Sequence, residues 1–541
     1  MTAAAIPFDP AQRAEALGVP PQVLNSRGEI DWPKIMLGFV GMSLGQFMAM
    51  LDIQIVNSSL TQIQSGLSAS ADEISWIQTV YLLAEVITIP LAAYVSKLFG
   101  TRNFYIAATS AFVATSMLVG LSANFESMIF FRALQGMAAG LIIPAGFATA
   151  MSVFPPDKRI TANIAFGVVV SLAPTIGPTL GGHLTDLLSW RWLFFLNLFP
   201  GALIIFLMAR WGDFDEPDPS LARGIDWFGL VMMTIFLLTL QYAIEEGSDD
   251  GWFQDPTILW LSITAAVTGV VFIWRQLTYR QPIVSLRPFT NREFSIGVLL
   301  NFVTGAALFG GGFLIPVFLG QVKGYTASQV GTTVMVAGAV MFVTAPICQR
   351  IVRYTDLRVS MLIGFLLCAW ATALGGRVTQ DWGFHEFAIM QGWRSVGVVL
   401  AMTASTQLAV STLPVSMMKD ASGMLALVRN FGGAVGLAGV ISLMNHQTAV
   451  HMADLRARMS YGNLQSQSLL EMLTGMMQER GAADPEGAAM KALDRMIHRE
   501  GTILSYGDAF YVMAAGCVLA ACLTLLTRPP KNFGQLPPEV H

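Results

Sequence analysis

The sequence predicts an all-α membrane protein with fourteen transmembrane helices, arranged as two six-helix bundles joined by an extra helical pair. Of its 541 residues, 54% are hydrophobic and only 12% are charged, about half the charged share of a soluble domain. Apolar runs long enough to cross a bilayer, about 20 residues each, recur along the whole chain. The basic residues cluster in alternate connectors between these runs.

The apolar runs group as six, two and six. The predicted spans lie at 35–59, 74–95, 104–122, 127–151, 160–184, 192–211, 225–244, 257–274, 295–319, 328–349, 359–376, 386–411, 420–444 and 506–527. An acidic connector precedes the seventh span and a basic one follows the eighth. The predicted regions are therefore a tail (1–34), a first bundle (35–211), a linking pair with flanking loops (212–293), a second bundle (294–527) and a second tail (528–541).

The distribution of Lys and Arg predicts the orientation in the membrane. More than half of the 31 basic residues fall in the two tails and in the connectors on the same side as the tails, whereas the short opposite loops hold only Arg191, Lys323 and Arg377. Basic residues mark cytoplasmic loops. We therefore expect a multi-pass protein of the inner membrane with both termini in the cytoplasm, whose first span acts as its insertion signal.

Residues 445–505 are predicted to form a long polar loop on the external, periplasmic side, with a charged amphipathic pattern. Such a loop is longer than a connector between two spans requires. Two interpretations remain open: a solvated helical hairpin that caps the bundle, or a docking surface for a periplasmic partner.

Ionisable side chains within predicted spans are functional candidates, because a charge in hydrocarbon is costly. Asp52 and Arg132 lie at matching depth below the external surface, on the first and fourth spans, and would form a pair if these helices touch. A buried carboxylate next to a movable arginine has a tunable proton affinity, as a proton-coupled transporter requires. The alternative is a permanent structural ion pair.

Three further charges lie deep within predicted spans. Glu85, near the middle of the second span, is a candidate second proton site or a ligand for cationic substrates. Arg394 and Arg429 would either attract an anionic substrate or satisfy helix carbonyl groups. Together with Asp52, these residues are the candidates for the substrate cavity.

The sequence lacks the motifs of several other functional classes. It has no GxxxxGK[ST] phosphate loop, no GxSxG nucleophile elbow and no histidine spacing typical of zinc sites. We therefore expect a protein that is not an enzyme, needs no cofactor or metal, and binds no nucleic acid.

Four segments together resemble the drug:proton antiporters of the major facilitator superfamily. They are 51–57 (LDIQIVN), 131–136 (FRALQG), 173–182 (APTIGPTLGG) and 190–197 (WRWLFFLN). With fourteen spans and a long loop before the last one, the chain is similar to the EmrB/QacA branch, and most similar to its Gram-negative EmrB type. The resemblance covers nearly the whole chain and implies the major facilitator fold.

The resemblance also implies roles for particular residues. Asp52 would couple transport to protons and Arg132 would act in the relay, with Glu85 as an additional candidate. The hinge and gating positions that it implies are Gly177, Pro178, Gly181 and Gly182 in the fifth span, and Gly100 and Arg102 in the loop after the second span. That loop departs from the family pattern, because Lys97 replaces an acidic residue and Thr101 a basic one.

The predicted function is proton-driven export of small hydrophobic drugs across the inner membrane, in contact with membrane lipids. For the EmrB type, the resemblance adds a periplasmic adaptor protein and an outer-membrane channel as partners. Two alternatives remain: a dedicated exporter of a fatty acid, lipid or siderophore, and a membrane scaffold that does not transport. The scaffold would leave the buried charges at Asp52 and Arg132 unexplained.

Overall fold

A computed structural model shows an all-helical chain. Besides isolated positions, it describes residues 19–57, 59–69, 76–155, 179–247, 251–280, 282–411, 417–459, 464–480 and 484–527. Within these residues, thirteen helices are long and apolar enough to span a membrane. The remaining predicted span, 160–184, lies largely outside the described residues, so the predicted total of fourteen remains a prediction.

The first bundle is built from helices α1 to α6. Their bounds are α1 Trp32–Asn57, α2 Trp76–Phe99, α3 Thr101–Gly120, α4 Phe125–Val153, α5 179–187 in its described part, and α6 Leu198–Trp211, which a helical turn at Trp192–Phe195 precedes. Helices α2 and α4 approach each other closely, because a Cβ atom added to Gly136 or Gly140 would overlap the backbone of α2. Small residues allow such close crossings in membranes, where packing holds helices together.

The linking pair consists of α7 (Trp227–Glu246) and α8 (Pro256–Thr278), which pack against each other. The outer face of α8 is strongly exposed, including Trp260 and Val270, as expected for a surface in contact with lipid tails. The connector after α8 turns back into the protein. There, Ile283 and Val284 are buried in a cluster with residues of α2, α7 and α13.

The second bundle and its extension contain helices α9 to α15. Their bounds are α9 Arg292–Gln321, α10 Ala327–Tyr354, α11 Leu357–Gly375, α12 Phe384–Ser411, α13 Met418–Arg458, α14 Leu464–Glu479 and α15 Pro485–Thr524. Helix α13 contacts both α2 and α4, so it forms part of the interface between the two bundles.

The predicted loop 445–505 is mostly helical. Helices α13 and α15 have 41 and 40 residues, so each is about 60 Å long, roughly twice the thickness of the hydrocarbon layer. Their polar extensions pair side by side through His451 and Asp508 (2.7 Å) and through Arg456 and Asp494 (2.7 Å), and α14 packs on α15. Hydropathy indicates where a helix leaves the apolar layer, not where the helix ends. The prediction therefore ended the spans at 444 and 506, whereas the helices themselves continue into the polar region. We call residues 445–505 the hairpin.

Candidate functional site

A buried polar network surrounds Asp52 in the first bundle. The Asp52 carboxylate accepts hydrogen bonds from Arg132 Nη1 (2.6 Å), Gln135 Nε2 (3.0 Å) and Asn197 Nδ2 (2.8 Å). Asp52, Arg132 and Gln135 are fully buried, and Asn197 is 1% exposed. The structure therefore brings together the two residues that the sequence paired by depth, and adds two amide side chains.

Aromatic side chains and a helix carbonyl hold the guanidinium of Arg132 in place. Its Nε atom donates to the carbonyl oxygen of Ile77 (3.3 Å). The ring centroids of Tyr81 and Phe194 lie 4.3 and 5.7 Å from its Cζ atom, within the range of cation–π attraction. Its Nη2 atom has no hydrogen-bond partner among the described residues, so the arginine retains one unused donor group.

Asn197 and Gln135 lie within two of the motif segments, but no role was predicted for either residue. Asn197 contacts Asp52 across 145 residues of chain and also donates to Ser116 Oγ (2.9 Å). The sequence could have indicated Asn197, because its amide side chain follows the apolar run Trp192–Phe195. A polar group buried in such surroundings requires a hydrogen-bond partner.

Glu85 lies apart from this network, at the interface of the two bundles. It is 1% exposed, and its Oε1 atom accepts a hydrogen bond from Asn430 Nδ2 on α13 at 2.9 Å. Arg429, the half-buried neighbour of Asn430, interacts with Glu85 electrostatically. The sequence indicated no partner for Glu85, since Asn430 is 345 residues away along the chain.

Arg394 occupies a separate position inside the second bundle. It is 3% exposed, and its Nη1 atom donates to the carbonyl oxygen of Ala307 on α9 at 3.0 Å. The same bundle contains a buried pair of thiols, Cys368 and Cys517, whose sulfur atoms are 3.6 Å apart. Of the two roles considered for Arg394, binding to a helix carbonyl is the one that its contacts support.

The predicted hinge in the fifth span is partly described. Pro178 lies outside the described residues, while Gly181 and Gly182 are buried within α5. A Cβ atom added to Gly177 would lie 2.5 Å from the Cβ of Gln54 on α1. The close approach of α1 explains the need for glycine at this position, and the hinge role remains a prediction.

The predicted gating loop is attached to the acidic connector that precedes α7. Gly100, with a φ angle of +74°, leads into α3, and Asp215 accepts hydrogen bonds from both the N–H (2.7 Å) and the hydroxyl group (2.9 Å) of Thr101. Thr101, which departs from the family pattern, thus has a specific structural partner. Arg102 is exposed, and its gating role remains a prediction.

We found no group of three or more His, Cys, Asp or Glu side chains that could hold a metal ion within the part of the chain that the structure describes.

Comparisons with known proteins agree on one family. Residues 42–437 match the Major Facilitator Superfamily. The chain is 37% identical to the colistin resistance protein EmrB of Acinetobacter baumannii, over 90% of this chain and 95% of that protein. It is 27% identical to the multidrug export protein EmrB of Escherichia coli K12, over 94% and 99% of the two chains, and 27% identical to the fatty acid resistance protein FarB of Neisseria gonorrhoeae, over 93% and 99%.

A solved structure supports the fold. The crystal structure of the human organic anion transporter MFSD10 (TETRAN) aligns with a TM-score of 0.57 and 12% identity, covering 91% of this chain and 99% of that one. The predicted all-α transporter fold is thus confirmed, although this similarity concerns the fold alone. The chain is a multi-pass membrane protein that belongs to the major facilitator superfamily, as one of its EmrB-type members.

Proposed function

We propose that the protein is a proton-coupled exporter of hydrophobic compounds in the inner membrane, with both termini in the cytoplasm. The buried Asp52–Arg132 pair carries this proposal. Asp52 is a carboxylate at the centre of three donors, about 8 Å along α1 from the helix end at Asn57. Proximity to that end favours exchange of a proton with the periplasm.

The coupling follows from the contacts of Asp52. When the carboxylate binds a proton, it loses its charge and with it most of its attraction for the guanidinium of Arg132. The amide groups of Gln135 and Asn197 both donate and accept hydrogen bonds, so they can remain with the neutral acid. Separation of Arg132 from Asp52 would change the contact between α1 and α4 and thereby link protonation to movement of the bundle.

Proton flux measured in proteoliposomes tests the proposal. A pH gradient should drive uptake of a fluorescent hydrophobic substrate, and adding substrate should release protons. Asp52→Asn should abolish both responses, because an amide side chain neither gains nor loses a proton at physiological pH. Asp508→Asn is the matched control, since Asp508 lies on α15 just after the hairpin, is half-buried, and pairs with His451 rather than with the Asp52 network. Full coupling in Asp52→Asn would refute the assignment.

We further propose that the hairpin contacts a periplasmic adaptor protein, which connects the exporter to an outer-membrane channel. It projects well beyond the apolar layer, and α14 carries exposed Met472 and Met476, flexible apolar side chains suited to protein contacts. Replacing 464–480 with a short linker should reduce resistance of whole cells while leaving transport in inverted vesicles nearly unchanged. Equal loss of both activities would contradict the adaptor role and indicate a structural cap.

A dedicated exporter of a fatty acid is the second candidate, favoured by the similarity to FarB over 93% of the chain. The two functions differ in the range of compounds that the protein would export. A panel of chemically unrelated compounds, tested in a strain without its own efflux pumps, should show resistance to several classes for a multidrug exporter and to fatty acids alone for the dedicated one.

A further inference from the structure

Two buried oxygen atoms at the interface of the bundles have no hydrogen-bond partner among the residues that the structure describes. They are Oε2 of Glu85 on α2 and Oδ1 of Asn430 on α13. The two side chains are already joined through Glu85 Oε1 and Asn430 Nδ2 at 2.9 Å, so the two free acceptors belong to one cluster. Leaving a buried acceptor unsatisfied costs about 1–3 kcal/mol, and more for a charged group.

The charge of the cluster restricts what it can bind. The Glu85 carboxylate already has a positive neighbour in Arg429, with which it interacts electrostatically. A ligand cation would bring a second positive charge next to this guanidinium. A group that donates hydrogen bonds without carrying charge satisfies the free oxygen atoms and meets no such repulsion.

The surroundings of the polar pair are mainly apolar. One to two helical turns away on α2 and α13 lies a small cavity, with room for about one water molecule, lined mainly by apolar residues, among them Pro90, Met424 and Leu427. Ile283 and Val284 of the connector after α8 also line it. A few polar acceptors among apolar side chains are the usual composition of a small-molecule site.

We propose that Glu85 and Asn430 form a substrate subsite that binds an uncharged hydroxyl or N–H donor of an otherwise hydrophobic compound. The inference rests on the proposed export function and adds the chemical class of the substrate. Because the subsite includes one residue from each bundle, an incoming donor competes with the Glu85–Asn430 hydrogen bond. Substrate binding would thereby loosen a contact that holds α2 and α13 together.

Two compounds that differ by one donor test the subsite. Binding of 1-naphthol and of its methyl ether, 1-methoxynaphthalene, is measured on the full chain in lipid nanodiscs, with empty nanodiscs subtracted. We expect the wild-type protein to bind 1-naphthol at least about tenfold more tightly, as for a hydrogen bond to a charged acceptor. Glu85→Met should remove the preference, and Glu85→Gln, which keeps a carbonyl acceptor, should reduce it to about threefold.

A matched control separates the subsite from general effects of burial. Ser395 is also fully buried, with a hydroxyl group that has no hydrogen-bond partner within the described part of the chain, but it lies on α12; Ser395→Ala should keep the full preference. Equal affinity of the wild-type protein for both compounds, or an unchanged preference in both Glu85 variants, would overturn the subsite. Displacement of 1-naphthol by tetraphenylphosphonium in the wild type but not in Glu85→Gln would overturn the uncharged class and indicate a cation site.

The outcome is independent of proton coupling. Asp52→Asn should retain the preference for 1-naphthol, because the hydrogen bonds of Asp52 involve neither Glu85 nor Asn430. A wild-type protein that shows the preference but no proton-driven flux would refute the export function and leave the subsite intact. Proton-driven export of other compounds without this preference would refute the subsite alone.

Discussion

The Asp52–Arg132 pair offers a quantitative test of how a buried ion pair contributes to this fold. In Asp52→Asn, one oxygen atom can still accept hydrogen bonds, but the new amide N–H group faces either the donor of Arg132 or the donors of Gln135 and Asn197, according to which oxygen it replaces. The Arg132 charge then has no carboxylate within the network. Removing one partner of a buried pair costs about 3–5 kcal/mol, so we expect a loss of stability in this range, in addition to the loss of coupling.

Removing both charges should restore part of this loss. Arg132→Met alone leaves the Asp52 carboxylate buried without its cation, at a similar cost of about 3–5 kcal/mol. The double variant has no uncompensated charge, and still lacks the cation–π contact with Tyr81, worth about 0.5–2 kcal/mol. We therefore expect the double variant to be at least about 2 kcal/mol more stable than the sum of the single effects.

The assay is unfolding of the purified protein in mixed micelles, followed by tryptophan fluorescence for the wild type, both single variants and the double variant. Transport measured in parallel should be absent in all three variants, which separates stability from function. Effects that add to within about 0.5 kcal/mol would mean that the two charges do not interact energetically, and the network would then not be a coupled unit.

Three further predictions concern other contacts. Asp215→Ala should cost about 1 kcal/mol, typical of a lost helix cap, because it removes both acceptors of Thr101, and should increase hydrogen exchange at the start of α3; unchanged exchange there would contradict the capping role. Arg394→Met should change stability by less than about 1.5 kcal/mol and leave transport intact, because this arginine binds a helix carbonyl and a buried charge without a carboxylate contributes little; a tenfold loss of transport would instead assign it to the substrate path. Arg456→Ala should lower the stability of the hairpin by less than about 1 kcal/mol in the same unfolding assay, because Arg456 and Asp494 are both more than half exposed, and a larger loss would indicate a cooperative network.

The sequence alone was sufficient to identify the membrane-spanning class and most of the helices. The length of an apolar run is a local property of the sequence. In the membrane, the backbone groups of a spanning helix must form their hydrogen bonds within that same segment, so an apolar run of sufficient length predicts a helix. The pairing of Asp52 with Arg132 was also predictable, since matching depth on two helices limits the partners that a buried charge can reach.

Partners from distant segments required the tertiary structure. The contact of Asn197 with Asp52 and that of Asn430 with Glu85 depend on how helices are arranged around each other, and no periodicity within a single helix encodes that arrangement. A helical hairpin was one of the two interpretations of residues 445–505, but its continuity with the spanning parts of α13 and α15 was not predicted, because hydropathy changes where a helix leaves the apolar layer.

The buried charges show most clearly which properties the sequence determines and which depend on the tertiary structure. The cost of placing an ionisable group in hydrocarbon depends only on its position in an apolar run, so the sequence singled out Asp52, Glu85, Arg132, Arg394 and Arg429. How that cost is offset depends on groups within hydrogen-bonding distance in space. The structure alone distinguished an ion pair with two amide donors at Asp52, a carbonyl contact at Arg394 and, at Glu85, an interface with two acceptors that have no partner among the described residues.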